Sequence, residues 1–222
     1  PPTKLQLRDG QAGALGVAMV VALWVDRRWG EPPVRLHPVV WMGTYLGHMG
    51  HWVQTRAVQD PGTRDFGSFG LAAAAWIAGA ALFLIAALFL QGLVLGLPWW
   101  LAGVAIGLLL KPMLALAMLK SEVQAVEDAL AISLGAGRER LRWLVSRDVS
   151  ALSAVQVRES AIEKKEENLN DSVVAPIFWF VLLGLPGAVL YRFANTADAM
   201  WGYPGVYNGR NWAWAGKWAS RA

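Results

Sequence analysis

The chain has 222 residues, of which 55% are apolar and 16% are charged, and its mean hydropathy is +0.36. This composition lies outside the range of ordinary soluble domains and favours an integral membrane protein. The absence of cysteine excludes disulfides, thiolate metal sites, iron–sulfur clusters and cysteine nucleophiles. The net charge of +4 arises from basic residues scattered among acidic ones, so we expect a lipid bilayer and no nucleic acid as partner.

Apolar stretches in the first half of the chain predict membrane helices. Residues 12–25 form a short apolar run, which is either a thin span or a buried helix. Residues 69–119 predict a transmembrane hairpin, because an uncharged run ends at Leu97 and Pro98 opens a second one. Arginines and lysines flank this hairpin, so we expect a multi-pass protein of the cell (inner) membrane whose active face is cytoplasmic.

Two polar regions flank the predicted hairpin and should meet at the same membrane face. Residues 26–68 predict a cytoplasmic loop that carries a His-Pro motif. Residues 120–172 predict a helical cytoplasmic subdomain of three helices. The first helix (121–134) should end at the glycines of 135–137, the second should cover 138–147, and a capping box at Ser153 and Gln156 should open the third.

The last third of the chain combines a broken apolar segment with a polar tail. Residues 173–190 are apolar but contain two prolines and two glycines, which predicts a broken or re-entrant helix. Residues 191–222 form a polar, Trp-rich tail that carries further motifs. Together these patterns predict one domain (1–222): an all-α, polytopic integral membrane protein with a helical cytoplasmic subdomain. It should have about three or four apolar membrane segments, one of them broken or re-entrant.

Three acidic residues form the first candidate site. Glu163, Glu167 and Asp171 are spaced by four, so a continuous helix would place their carboxylates on one face. Like charges in that arrangement repel each other, and a bound cation would relieve the repulsion. Because Glu167 and Asp171 lie directly before an apolar segment, they are candidate ligands for a hard metal ion. The alternative is a solvated helix face on which lysines at positions 164 and 165 neutralise the acids.

Further candidates contain histidine or lysine. His37 lies in a loop rich in proline and glycine, where it either serves function or merely hydrogen-bonds a backbone carbonyl. His48 and His51 are interpreted as surface residues of an interfacial helix. Lys111 interrupts an apolar stretch, so it is either functional or a lysine that extends toward the membrane surface at a kink.

The polar motif after the broken segment forms the last candidate site. Asn195 and Asp198 are three residues apart, so a helical turn would bring their side chains together. Arg192 could bind a phosphate or a carboxylate through two parallel hydrogen bonds. The alternative is an interfacial connector that Trp and Tyr side chains anchor.

The motifs named above occur in an order and spacing that resemble the adenosylcobinamide-phosphate synthase family, the CobD/CbiB proteins of cobalamin biosynthesis. The resemblance covers nearly the whole chain, and residues 168–203 are its most specific part. The matching segments are Asp26, Glu31-Pro32, His37-Pro38-Val39, Met42-Gly43, Ser146-Arg147-Asp148, Glu163, residues 167–176, residues 184–188, Tyr191-Arg192, Asn195-Thr196, Asp198, Met200 and Gly202-Tyr203.

The resemblance implies an ATP-dependent acid–amine ligase. Such an enzyme joins a propionate carboxylate of (adenosyl)cobyric acid, a corrinoid, to aminopropanol phosphate or ethanolamine phosphate, with ATP and Mg²⁺ as cofactors. The implied catalytic residues are Glu163, Glu167, Asn168 and Asp171, with Glu167 and Asp171 as metal ligands. The implied substrate-binding residues are Asp26, His37, Arg147, Asp148, Arg192, Asn195, Asp198 and Tyr203. Whether the protein forms a homo-oligomer stays open.

The chain departs from the family pattern in two places. Lys164, Lys165 and Glu166 occupy positions where the family usually has small or apolar residues. The family pattern also continues past Arg221 with an acidic pair and further membrane segments, so we expect the given sequence to be part of a longer chain. The alternatives to an enzyme are a non-catalytic membrane sensor similar to AmpE and a small-solute transporter, although a transporter should show facing polar residues within several spans.

Overall fold

The protein is almost entirely helical in the part described by the computed structural model, which is residues 4–30, 33–145 and 148–222. The helices are α1 (Lys4–Trp29), α2 (Pro38–Gln54), α3 (Phe66–Leu95), α4 (Trp99–Leu110), α5 (Leu116–Ile132), α6 (Leu134–Arg142), α7 (Ala154–Leu169) and α8 (Ala175–Trp201). A π-helical turn (Asn170–Val174) joins α7 to α8, and 3₁₀ turns occur at Val34–Leu36, Lys111–Met113 and Ala215–Lys217. A short antiparallel ribbon pairs β1 (Val206–Tyr207) with β2 (Arg210–Asn211).

The exposed surface of the long helices is apolar. Three helical stretches of the described residues have the length and composition to cross a membrane: Phe66–Leu95, Trp99–Ile132 and Ala154–Trp201. Large side chains such as Ile85 and Phe89 of α3 are 65% exposed. Exposure to water on this scale is unfavourable, so these side chains mark a lipid-facing surface. The predicted all-α polytopic membrane protein is confirmed.

Helix α4 packs closely against α1, although sequence order suggested a simple hairpin with α3. A Cβ atom on Gly107 would lie 2.7 Å from the carbonyl oxygen of Ala18. The backbones can approach this closely only because position 107 has no side chain, as is common between membrane helices. The apolar run 12–25 is therefore part of a 26-residue helix whose small residues Ala18 and Ala22 are buried.

Because α1 packs so closely on α4, the cost in stability of a Gly→Ala substitution should depend strongly on whether the glycine lies between these two helices. Gly107→Ala should lower the free energy of unfolding by about 1–3 kcal/mol, because the new methyl group would force α1 and α4 apart. Gly92→Ala is the matched control, since a Cβ there meets nothing within 4 Å. Thermal unfolding in detergent measures both variants. Equal losses for the two variants would contradict the close packing.

Helices α5, α6 and α7 form the predicted helical subdomain around a small core of its own. This core contains Val126, Leu141, Val149, Val157 and Ala161. The predicted capping box is present, since the Ser153 side chain accepts a hydrogen bond from the Gln156 N–H and the Gln156 side chain accepts one from the Ser153 N–H. Each partner thus satisfies a backbone donor at the start of α7.

The boundary predicted between the first two subdomain helices is wrong. Helix α5 ends at Ile132, and glycines 135 and 137 lie inside α6 instead of terminating a helix. Ser133 decides the boundary, because its Oγ accepts a 3.0 Å hydrogen bond from the Ala136 N–H and caps α6. Helix α6 also ends earlier than predicted, at Arg142.

Asp65 caps α3 through its carboxylate. We therefore expect the stability of the protein to depend on pH. Burial raises the pKa of the Asp65 carboxyl, but hydrogen bonds from the Ser68 and Val58 N–H groups outweigh burial and hold the pKa below its ordinary value. Because the pKa of Asp65 is lower in the folded than in the unfolded state, its carboxylate stabilises the fold at pH values above the ordinary pKa. This stabilisation is lost as the pH falls through the folded-state pKa. Asp65→Ala should therefore cost about 1 kcal/mol at neutral pH, and this cost should shrink below about pH 4.

Unfolding in detergent at several pH values measures this effect. Asp65→Asn is the control, because an amide oxygen can still accept from Ser68 but does not titrate in this range. A cost of Asp65→Ala that stays constant from neutral to acidic pH would contradict the role of the carboxylate.

Candidate functional site

Helix α8 reverses its direction at Gly184. The φ of 70° and ψ of −159° at this residue lie where essentially only glycine is found. A Cβ on Gly187 would collide with the carbonyl oxygen of Trp179, eight residues earlier, so the chain doubles back on itself. We call residues 175–183 the first arm, residues 185–201 the second arm, and the whole the re-entrant hairpin.

The base of the re-entrant hairpin confirms the reversal. Arg192 Nη1 lies 3.4 Å from Ser172 Oγ, whereas a straight helix would separate these residues by about 30 Å. The hairpin therefore returns to the side of the molecule where it began. Of the two predicted forms, broken or re-entrant, the structure shows the re-entrant one.

A polar cluster forms where the two arms meet the π-helical turn. Tyr191 lies within electrostatic range of both Asp171 and Arg192, and Arg192 contacts Ser172. We call Asp171, Ser172, Tyr191 and Arg192 the hairpin-base cluster. The π turn bears two of them, and such turns are frequent at functional sites because the extra residue redirects side chains. The cluster combines a carboxylate, a hydroxyl, a phenol and a guanidinium, a set that can bind an ammonium group and a phosphate.

The connection between α4 and α5 is hydrogen-bonded to the π-helical turn that carries part of this cluster. The carbonyl oxygen of Ser172 accepts a 3.2 Å hydrogen bond from the Ala115 N–H. Two residues further on, the Ala117 N–H donates to Asp26 Oδ2 over 2.9 Å. The backbone around residue 115 thus links α1 to the π-helical turn, which fixes the position of Ser172.

Asp26 and Lys111 form a buried ion pair. Lys111 Nζ lies 3.3 Å from Asp26 Oδ1, and the side chains are 5% and 0% exposed, respectively. The predicted contact between Asp26 and a substrate finds no support in this geometry, because the carboxylate is fully enclosed. The Lys111 charge is turned inward to an acid, so this lysine does not extend toward the membrane surface, and a functional role for it stays a prediction.

The remaining predicted acids lie on α7, before the π-helical turn. Glu163 and Glu167 are exposed, and Lys164 Nζ lies 2.9 Å from a carboxylate oxygen of Glu167. This pair matches the solvated-face alternative for Glu167. Asn168 is half-buried one residue later. The catalytic roles of these α7 residues stay predictions.

Glu167 and Asp171 are the predicted metal ligands. Among the described residues, no group of three or more His, Cys, Asp or Glu side chains is arranged to hold a metal ion. Mg²⁺ usually needs fewer protein ligands, since one or two carboxylates, water and substrate phosphates complete its shell. Asp171 and Glu167, one helical turn apart, are suitable for that kind of site.

His37 and Asp148 both hold backbone in place. The His37 ring nitrogen Nδ1 accepts a 3.3 Å hydrogen bond from the Val39 N–H at the start of α2, so this partner is a backbone N–H and not the carbonyl of the predicted structural alternative. A functional role for His37 stays a prediction. Asp148 accepts from the N–H and the hydroxyl of Ser150, and the backbone hydrogen bond in particular holds the pKa of Asp148 below its ordinary value. The predicted residue Arg147 lies outside the described part of the chain.

The last predicted residues lie on or after the second arm. Asn195 is half-buried and Asp198 is exposed, one turn further along the same helix. Tyr203 stacks on Tyr207 with ring centroids 3.7 Å apart. A hydrogen bond between the two phenols is the main reason that the pKa of Tyr203 is raised. Tyr203 therefore anchors the β ribbon, and its predicted contact with a substrate stays a prediction.

Sequence reasoning missed three residues that the structure places at key points. Ser172 and Tyr191 belong to matched motifs but were not assigned to the site. No role was predicted for Gln91, whose Oε1 accepts a 2.7 Å hydrogen bond from the Leu185 N–H at the hairpin tip. A single amide side chain within an apolar membrane segment is the signal that could have identified it.

These features define a polytopic α-helical membrane protein with a polar cluster at the base of a re-entrant hairpin. Residues 19–222 match the family model described as "CobD/Cbib protein". The chain therefore belongs to the CobD/CbiB family of cobalamin biosynthesis proteins. No solved structure matches it.

Curated relatives agree with this family. A "Probable cobalamin biosynthesis protein CobD" of Methanothermobacter thermautotrophicus is 38% identical over 83% of this chain and 57% of its own length. A protein of the same description from Pyrococcus abyssi is 38% identical over 85% of this chain and 59% of its own. The "Cobalamin biosynthesis protein CobD" of Chromobacterium violaceum is 40% identical over 82% and 56%. The chain thus spans less than two thirds of the length of these relatives.

Proposed function

We propose that the protein catalyses an ATP-dependent amide-bond formation in cobalamin biosynthesis. The acid is a propionate carboxylate of (adenosyl)cobyric acid, the amine is aminopropanol phosphate or ethanolamine phosphate, and the product is (adenosyl)cobinamide phosphate. Family membership over residues 19–222 is the observation that carries this proposal. The hairpin-base cluster supports it, because it combines groups of both charges where apolar helices end.

The chemistry requires activation of the acid. A carboxylate is a poor acyl donor at neutral pH, so transfer of a phosphoryl group from ATP to its oxygen creates an acyl phosphate and ADP. The amine nitrogen then attacks the carbonyl carbon, the bond to the phosphate oxygen breaks, and a base accepts the proton released from nitrogen. A Mg²⁺ ion bound with ATP supplies charge neutralisation on the transferring phosphoryl group.

The residues of the cluster are suited to distinct parts of this reaction. Arg192 presents a planar guanidinium that can bind a phosphate through two parallel hydrogen bonds. Asp171, with Glu167 one turn before it, is suited to the ammonium group of the amine or to the metal ion. In this proposal the site faces the cytoplasm, where ATP is available, and the corrinoid reaches it along the surface of the inner membrane.

An assay of isolated membranes tests the proposal. Membranes that contain the protein receive adenosylcobyric acid, aminopropanol phosphate, ATP and Mg²⁺, and chromatography separates the coloured corrinoids. We expect a corrinoid with the mass of the amide and one ADP per amide formed, and no product without the amine or without ATP. Unchanged corrinoid acid in the complete mixture, from membranes that contain folded protein, would refute the proposal.

A further inference from the structure

Gln91 contacts the tip of the re-entrant hairpin from α3. Besides its hydrogen bond to Leu185, it encloses Gly184, since a Cβ on that glycine would lie 2.5 Å from Gln91 Oε1 and 3.0 Å from Nε2. Between Phe69 and Leu97, Gln91 is the only residue with an amide or charged side chain. A polar side chain in an apolar membrane segment is unfavourable, so we expect Gln91 to have a structural or functional role there.

The break at Gly184 creates a need for this contact. A new helix starts at Leu185, and the first N–H groups of a helix have no partner within it. Pro186 has no N–H to satisfy, but Leu185 has one, and lipid offers no acceptor. An unsatisfied group in that environment is unfavourable, so the oxygen of Gln91 on the neighbouring helix stabilises the start of the second arm.

The tip also determines where Arg192 lies. Arg192 is seven residues beyond Leu185, a distance of about 10 Å along the second arm. A rotation of this arm by about 10° around Gly184 would therefore move Arg192 by about 2 Å. Displacements of about 1 Å can reduce the rate of a reaction by about 100-fold. The angle of the second arm is thus critical for any chemistry at the hairpin base.

We propose that Gln91 is a positioning residue that fixes the tip of the re-entrant hairpin and thereby holds Arg192 beside Ser172. Its effect on turnover rests on the proposed function, whereas its effect on the geometry of the hairpin does not. The test therefore uses one readout for each. Gln91→Leu removes the acceptor, and Gln91→Glu keeps an oxygen at the same reach. A cavity of about 210 Å³ beside Gln91 and Gly184 leaves room for either side chain.

The first readout is the distance between two spin labels on the purified full chain in lipid nanodiscs. Because the sequence has no cysteine, labels can be placed at two exposed positions: Glu166, before the first arm, and Ala199, near the end of the second arm. We expect a narrow distance distribution for the parent protein and for Gln91→Glu, and a broad or shifted one for Gln91→Leu. A label pair at Glu166 and Ile132, which does not span the hairpin, should be unchanged in all three proteins.

The second readout is the kinetics of amide formation. Gln91→Leu should lower kcat by about 10-fold or more while KM for the amine changes by less than about 2-fold, and Gln91→Glu should restore most of kcat. An unchanged distance distribution in Gln91→Leu would overturn the proposal. A broadened distribution with an unchanged kcat would overturn the positioning role. Absence of product from the parent protein would instead refute the proposed function, and the distances alone would then decide whether Gln91 fixes the hairpin.

Discussion

We expect Lys111→Met to lower the free energy of unfolding by about 3–5 kcal/mol, because it leaves the Asp26 carboxylate buried without its counter-charge. The carboxylate is fully enclosed and its Oδ2 already accepts the Ala117 N–H, so it cannot turn to solvent. Methionine has a similar length and fits an apolar site, which separates the loss of charge from the loss of volume. Thermal unfolding in detergent and the yield of folded protein measure the effect.

The double variant provides the decisive control for this ion pair. Asp26→Asn keeps an oxygen for the Ala117 N–H but removes the charge. Combined with Lys111→Met, it should restore at least half of the lost stability, since neither charge is then left alone. Losses that simply add in the double variant would show that the two residues act independently, contrary to the buried pair.

The second large effect is expected on activity and concerns Asp171. Under the proposed function, Asp171→Asn should lower kcat/KM for amide formation by about 100- to 1000-fold, because it removes the charge that would face an ammonium group or a metal ion. The side-chain volume is unchanged, so the fold should remain intact. Glu166→Gln is the matched control, since this exposed residue is nearby and loses the same charge without belonging to the cluster. The coloured-corrinoid assay measures both variants.

Arg192→Lys extends the same test to the opposite charge. Lysine keeps the positive charge but cannot form two parallel hydrogen bonds with one phosphate, so kcat/KM should fall by about 100-fold. Full activity in both Asp171→Asn and Arg192→Lys would show that the hairpin-base cluster takes no part in the reaction. Equal losses in Glu166→Gln and Asp171→Asn would indicate a general effect of surface charge.

The secondary structure was predictable wherever local sequence decides it. Helix α3 follows from an uncharged apolar run that is long enough to cross a bilayer, and the start of α7 follows from its capping box. The boundary at Ser133 was missed because the glycines that follow it suggested a helix end. The capping hydrogen bond of one serine side chain outweighed them.

The candidate site was predictable only in part, because its geometry depends on residues far apart in the chain. The glycines and prolines of 173–190 predicted a break, but its sharp reversal also depends on Gln91, 94 residues before Leu185. Asp26 belongs to a matched motif, yet its burial against Lys111 follows from the packing of α1 on α4. Spacing alone placed Glu163, Glu167 and Asp171 together, whereas the structure brings Asp171 within electrostatic range of Tyr191 across the reversal.

The re-entrant path of residues 175–201 is the claim on which the site depends, and cysteine labelling in sealed membrane vesicles tests it directly. Single cysteines at Glu166, Ala199 and Leu97 are exposed to a membrane-impermeant maleimide from one side at a time. The re-entrant hairpin predicts that positions 166 and 199 react from the same side and position 97 from the other. Labelling of positions 166 and 199 from opposite sides would show that this segment crosses the membrane, and Arg192 could then not share a site with Asp171.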